Sequence, residues 1–382
     1  MITRTAVVHI GLEKTGSTAI QRWLAANRQA LQANGILMPR SIGFPNHTRL
    51  VSACLDDGVV DNIKKHHLFA CGLRERRFRR AVFADLAKEV RLADPSWRTL
   101  LITSELISSR LSSVSELERL VAEIGQYVDH IRFVVFLRRQ DQLALSRFSS
   151  ILRSGHGEFH HLYVNYSPFN FLSIPDDRPI SDDLFFYDFE AILSRFEALP
   201  GSELAVYFYG QDRPIEVFQQ LLNLNAPSQA DGAVKHNSAL SAKAQFILAH
   251  LNRRCPVQFP SGMRNDAYRQ LQRRVEREVM GEPRVVARQA AADFLGRYSA
   301  ANQRVFNRYG RSDRQSFSDD VSAYPVLCDY SDLPGLVMDQ LRSYEMEAEH
   351  LPVVEPLAAH LQYKARRFKK ALKGLLTSSV RS

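Results

Sequence analysis

Five short runs of this chain are apolar at almost every position: residues 6–10 (AVVHI), 35–39 (GILMP), 99–103 (TLLIT), 131–137 (IRFVVFL) and 203–209 (ELAVYFY). Short, unbroken, β-branched runs predict strands buried on both faces of a parallel sheet. Helical spacing fills the intervals. Ile20, Trp23, Leu24 and Leu31 predict a helix that stops at Asn34, before Gly35. ELERLVAEIGQYV, DQLALSRFSSILR and FYDFEAILSRFEAL also read as helices. Strand and helix in repetition predict an α/β fold, a doubly wound parallel sheet covered by helices.

From Ser238 onward the helical period dominates, in SALSAKAQFILAHLN, AADFLGRYSAANQRVFNRY and HLQYKARRFKKALKGLL. The expected organisation is an α/β domain over 1–310 and a helical tail over 311–382. No repeat interrupts it. The Pro- and Asp-rich stretch 173–183 reads as a loop inserted over a site. Residues 41–70 and 154–183 read as further loops, where ligand specificity would lie. GLRERRFRRAV, with Leu73, Phe78 and Val82 near one face, reads as a solvated basic helix or the lining of an acidic-acceptor groove.

Composition adds one point. The 382 residues carry 50 basic against 41 acidic side chains, a formal charge of +9. That balance favours anionic partners. The four cysteines, Cys54, Cys71, Cys255 and Cys328, are widely spaced, which predicts thiols in a reducing, cytoplasmic setting. The first residues do not read as a signal peptide, and no run is long enough to span a membrane.

The chemistry begins at HIGLEKTGST, residues 9–18. A strand runs into a loop with Gly11 and Gly16, and a helix follows. Such a loop aims backbone N–H groups and a helix dipole at one point, where an anion belongs. Lys14 adds a point charge, and Ser17 and Thr18 add hydroxyls in the first turn. The Gly-Lys-Ser/Thr ending of nucleotide kinases and ATPases is missing, and the strand at 131–137 is followed by Arg138 and Arg139 instead of a metal-holding Asp. A site without metal suits a leaving group with less charge to neutralise, such as a sulfuryl group.

EKTGST resembles the phosphosulfate-binding loop of the sulfotransferases that use 3′-phosphoadenosine 5′-phosphosulfate (PAPS). That family's second signature is an Arg at a strand end with a Ser eight residues on, and LRRQDQLALS supplies Arg138 and Ser146 at that spacing. PNHTRL, ITSELI, HNSALS and ANQRVFNRY resemble further stretches of bacterial members, in order, over about residues 5 to 310. The resemblance implies a PAPS-dependent enzyme of P-loop-like fold that needs no metal. Lys14, Thr15, Gly16, Ser17 and Thr18 would hold the 5′-phosphosulfate, with Lys14 catalytic. Arg138 and Ser146 would hold the 3′-phosphate. The acceptor would be a hydroxyl of a carbohydrate or glycolipid.

Several assignments stay open at this level. Arg139 competes with Arg138, and Arg138 can instead pair with Asp141. The general base is His47 or Glu105, with His47 slightly favoured because imidazole titrates near neutrality; His47 can equally be a satisfied loop histidine and Glu105 a helix-start acid. His156, His160 and His161 have metal-like spacing, but the neighbouring glycines argue against it, and no metal is expected. The basic amphipathic stretch 361–376 reads as a helix docked on the domain or as one lying on an anionic membrane at the inner face. The alternatives to sulfuryl transfer are an ATP- or GTP-dependent kinase and a non-catalytic binder of polyanions. Nucleic acid is not the expected partner, because the basic stretches lack regular aromatic interleaving.

Overall fold

The computed structural model describes residues 3–155, 186–224, 239–328, 330, 332–356, 361 and 365. All five expected strands are present: β1 (Thr5–Gly11), β2 (Ile36–Leu37), β3 (Thr99–Thr103), β4 (His130–Leu137) and β5 (Ser202–Phe208). They form one all-parallel sheet in the order β2-β3-β1-β4-β5. β1 is central. The chain leaves β1 toward one edge and β4 toward the other, so a topological switch point lies between them, where open α/β sheets bind ligands.

The apolar runs bury both faces. Ala6, Val8, Ile10, Phe133 and Val135 pack into one large core, and Val7, Leu101, Val134 and Phe136 into a smaller one on the opposite side. Period-two alternation decides which residue goes where. The smaller core takes Ile20, Trp23 and Leu24 from α1 (Ser17–Ala26) and Leu31 from α2 (Arg28–Ala33). The expected single helix is thus two, divided at Asn27, whose side-chain amide donates to the Trp23 carbonyl (2.9 Å). β2 is shorter than expected because Gly35 enters it at φ 71° and Pro39 offers no N–H for further pairing.

Residues 41–70, expected as loop, hold α3 (Thr48–Cys54) and most of α4 (Asn62–Cys71). The large core is covered by α3, α5 (Glu75–Leu92), α7 (Val114–Gly125) and α9 (Phe189–Glu197), and the short α6 (Leu106–Arg110) follows β3. The basic stretch at the start of α5 buries Phe78 and Val82 and turns Arg76 and Arg79 toward Asp57. α10 (Pro214–Leu221) covers the opposite face.

α8 (Gln140–Arg153) leaves β4 and ends in a second, purely helical core. There Phe148 and Leu152 meet α11 (Ala242–Asn252), α12 (Asp266–Glu278) and α15 (Leu333–Ala348). Asn252 ties them: its amide donates to the Leu152 carbonyl (2.8 Å), and its oxygen accepts from Tyr268 (2.6 Å) and Gln272 (3.0 Å). α13 (Arg288–Gly296) and α14 (Ser299–Tyr309) return to the sheet core.

Residues 311–356 are not a detached tail. Arg311 and Arg314 pair with buried Asp212 at the end of β5, Tyr324 reaches Asp141, and α15 completes the second core. The chain after 310 therefore joins both cores. The stretches 156–161 and 173–183 lie outside the described residues, as does 361–376 apart from 361 and 365. Among the described residues no helix is long and apolar enough to cross a membrane.

Candidate functional site

β1 ends where two backbones nearly touch. Gly11 has φ 113°, and a Cβ there would lie 3.1 Å from the Cα and carbonyl oxygen of Glu105 and from Ser108 Oγ. Only glycine fits. The loop then closes on one carbonyl: Leu12 O accepts from Thr15 Oγ1 (2.6 Å) and Ser17 Oγ (3.1 Å). These two hydroxyls, expected on a ligand, shape the loop. Lys14 has φ 67° and Gly16 φ 89°. A left-handed lysine costs about 1–2 kcal/mol. A Cβ on Gly16 would meet the Tyr209 ring at 3.3 Å and Pro214 at 3.5 Å.

The backbone bends so that six consecutive amides, from Glu13 to Thr18, donate to no acceptor among the described residues. The first internal bonds of α1 come from Ala19 and Ile20 to Gly16 O. Backbone amides seldom go unpaired away from water, and a run of them at a helix start is able to hold an anion. Thr18, exposed in the first turn, keeps its hydroxyl free there.

Two arginines at the end of β4 divide the work. Arg138 Nη1 donates to Lys14 O (3.1 Å), and its guanidinium lies over Tyr209, 5.4 Å from the ring centre. Its Nε is buried with no partner among the described residues. Burial lowers its pKa, as it does that of Lys14; on Lys14 the charge of Arg153 acts the same way, with Glu13 opposing. Glu13 is itself held by Ser109 Oγ (2.7 Å). Asp141 is taken by Arg139 through two bonds (2.9 and 2.7 Å) and by Tyr324 Oη (2.6 Å). Arg139 also donates to the carbonyls of Ser318 and Asp320. Arg139 is thus the structural arginine, and Arg138 faces the loop. Ser146 lies half-buried on α8, and its hydroxyl makes no hydrogen bond among the described residues.

The two candidate bases part company. His47 is fully buried. Its Nδ1 accepts from the Thr103 N–H (2.8 Å), so Nε2 carries the proton and donates it to Pro39 O (2.8 Å). Burial lowers its pKa to about 4. Both ring nitrogens are spent on pinning the loop after β2 to β3, which overturns the preference for His47 as the group that accepts a proton. Glu105 starts α6 beside Gly11, and its carboxylate accepts from Gln21 Nε2 (2.7 Å) and Asn46 Nδ2 (3.1 Å to each oxygen). Burial raises its pKa, against which its own backbone and the Gln21 amide act. Glu105 also contributes to the field at Lys14. A carboxylate held near a cationic anion cradle, with its pKa pushed toward neutrality, is a fit proton acceptor.

Gln21, Tyr209 and Arg153 were not singled out from sequence, and Asn46 only as part of PNHTRL, with no role given to it. Gln21 had a signal, one turn after Ser17 on α1. Tyr209 had another, one residue past Phe208, which pairs with Leu137, so it stands level with Arg138. A cavity of about 430 Å³ lies apart from this site, lined by Arg28, Met38, Leu92 and Trp97 beside β2. Compared with family models, curated proteins and solved structures, the chain matches none of them.

Proposed function

We propose that this protein is a PAPS-dependent sulfotransferase that moves a sulfuryl group to a hydroxyl, with a carbohydrate or glycolipid as acceptor. The observation that carries the reading is the run of six unpaired amides, Glu13 to Thr18, beside Lys14 and the unpartnered Nε of Arg138. Two anionic groups on one ligand would satisfy both: a phosphosulfate in the loop and a second phosphate at Arg138. The four cysteines are free thiols, in keeping with a cytoplasmic enzyme.

PAPS would supply the sulfuryl group and leave as the 3′,5′-bisphosphate. The residues of the chain then have separate tasks. The amides of the cradle hold the 5′-phosphate oxygens, and Thr18 adds a hydroxyl. Lys14 stabilises charge that builds on the bridging oxygen as the sulfur–oxygen bond breaks. Arg138 gives a planar fork to the 3′-phosphate, which plain nucleotides lack, with Ser146 beside it. Glu105 takes the proton from the acceptor hydroxyl as the new oxygen–sulfur bond forms. Gln21 and Asn46 hold that carboxylate in place. His47 keeps the Asn46 loop against β3.

Thermal-shift titration tests the reading. 3′,5′-ADP should stabilise the protein at concentrations where ATP with Mg²⁺ does not. Labelled sulfate should pass from PAPS to glycan acceptors, and Lys14→Ala should slow that transfer by roughly 10²–10³-fold. Preference for ATP-Mg²⁺ would point to a kinase, and indifference to both nucleotides to a binding protein.

A further inference from the structure

Beyond the loop after β1, a patch of positive charge on the described surface has little acid around it. Gly262 turns at φ 96° against α4, where a Cβ would lie 2.3 Å from Lys65 O. Gln258 Nε2 donates to Asn62 O (2.9 Å), and His66 Nδ1 lies 3.3 Å from Gly262 O. This contact brings α4 alongside Arg264 and the start of α12. The guanidinium groups of Arg264, Arg269 and Arg273 make no ion pair or hydrogen bond among the described residues. The charges of Arg264 and Arg269 both act on His66, and Arg264 and Arg273 act on Arg269, with Asp266 as the one acid opposing them there.

The patch has two ties to the candidate active site. On α12, Arg269, Arg273 and Glu276 fall on one face at helical spacing. Glu276 pairs with Arg153 (3.1 Å), the charge that weighs most on Lys14. The rise from Arg269 to Glu276 is about 10 Å. On the other side, His67 Nε2 meets Thr48 Oγ1 (3.1 Å), two residues from the Asn46 that holds Glu105.

We propose that the α4–α12 surface, through Arg264, Arg269 and Arg273, binds the acceptor, and that the acceptor is an acidic oligosaccharide whose own carboxylate or sulfate groups pair with these arginines. This rests on the sulfuryl-transfer reading, which requires a hydroxyl at Glu105. A neutral sugar would leave three unpaired guanidinium groups unused. A nucleic acid would want exposed rings for its bases, and the aromatic residue of α12, Tyr268, is fully buried.

Isothermal titration on the full chain decides it. The probes are a heparin-derived hexasaccharide, maltohexaose, a thymidine dodecamer and 3′,5′-ADP. The proteins are the wild type, Arg269→Gln/Arg273→Gln and Arg269→Lys/Arg273→Lys. The hexasaccharide should bind the wild type, at least roughly tenfold more weakly to the glutamine variant, and nearly normally to the lysine variant. Maltohexaose should not bind, and 3′,5′-ADP should bind all three alike. Equal hexasaccharide affinity in wild type and glutamine variant overturns the proposal, as does tighter binding of the dodecamer through the same two arginines. Failure of 3′,5′-ADP to bind the wild type sinks the sulfuryl-transfer reading instead, whatever the hexasaccharide does.

Discussion

Two regions at the carboxyl end of the sheet treat positive charge in opposite ways. In the seam formed by residues 311–324, every arginine meets an acid or a carbonyl. Arg139 has Asp141, and Arg311 and Arg314 share Asp212, which also accepts from the Phe208 amide (2.7 Å). A few ångströms along the same strand end, Arg138 has only a carbonyl, and Lys14 has no ion pair among the described residues. Paired charge in a buried seam fixes geometry. Unpaired charge beside a run of free amides costs stability unless a ligand neutralises it. The contrast separates the residues that build the fold from those that wait for an anion.

The largest effect should come from breaking the seam. Asp141→Asn leaves Arg139, whose side chain is 13% exposed, without its counter-charge. Urea denaturation should show a loss of about 3–5 kcal/mol. Next comes the mouth. Arg138→Ala removes a charged donor that makes no ion pair among the described residues and feels Asp141 only through space. Affinity for 3′,5′-ADP should fall roughly 10–100-fold by calorimetry, while stability stays within about 1 kcal/mol. If Arg138→Ala unfolds the protein as Asp141→Asn does, the two regions are not different in kind. The smallest effect concerns Glu105. As a base it must be ionised, so turnover should rise with pH through its raised pKa. Gln21 bonds to the charged form and opposes that rise. Gln21→Leu should therefore move the acid limb of the turnover profile to higher pH, with a loss of a few-fold at neutrality that more alkaline buffer restores. A uniform loss at every pH would mean that Gln21 does not act through this carboxylate.

Much of the sheet was readable because its strands are buried on both sides and so lack polar positions. β2 was overextended because Gly35 and Pro39 were read as part of the run, although a left-handed glycine and a proline without an N–H hold the pairing to Ile36 and Leu37. α4 went unread because it buries Lys64, whose ammonium is satisfied by Glu75 (2.7 Å) and the Asp56 carbonyl, which breaks the apolar pattern. In the site, spacing along one loop and one strand end brought Lys14, Gly16 and Arg138 forward, and favoured Arg138 over Arg139. That Arg139 is the arginine paired with Asp141, alongside Tyr324 from far away in the chain, was not in the spacing. His47 was misjudged for a related reason. A histidine's reactivity depends on whether its nitrogens are free, and here Pro39 and Thr103 occupy them. Gln21 carries no motif, and Asn46, though it lies in PNHTRL, had no role there; they matter because the folded chain brings both amides to one carboxylate.

α8 gives this architecture one further property. Its first residue, Gln140, is locked to Asn302 by a reciprocal pair of amide bonds (2.7 and 3.1 Å), and its last turns are nailed into the all-helical body. A single rigid rafter thus spans both halves of the building. A truncated polypeptide that kept one half alone would keep a beam with nothing to rest on.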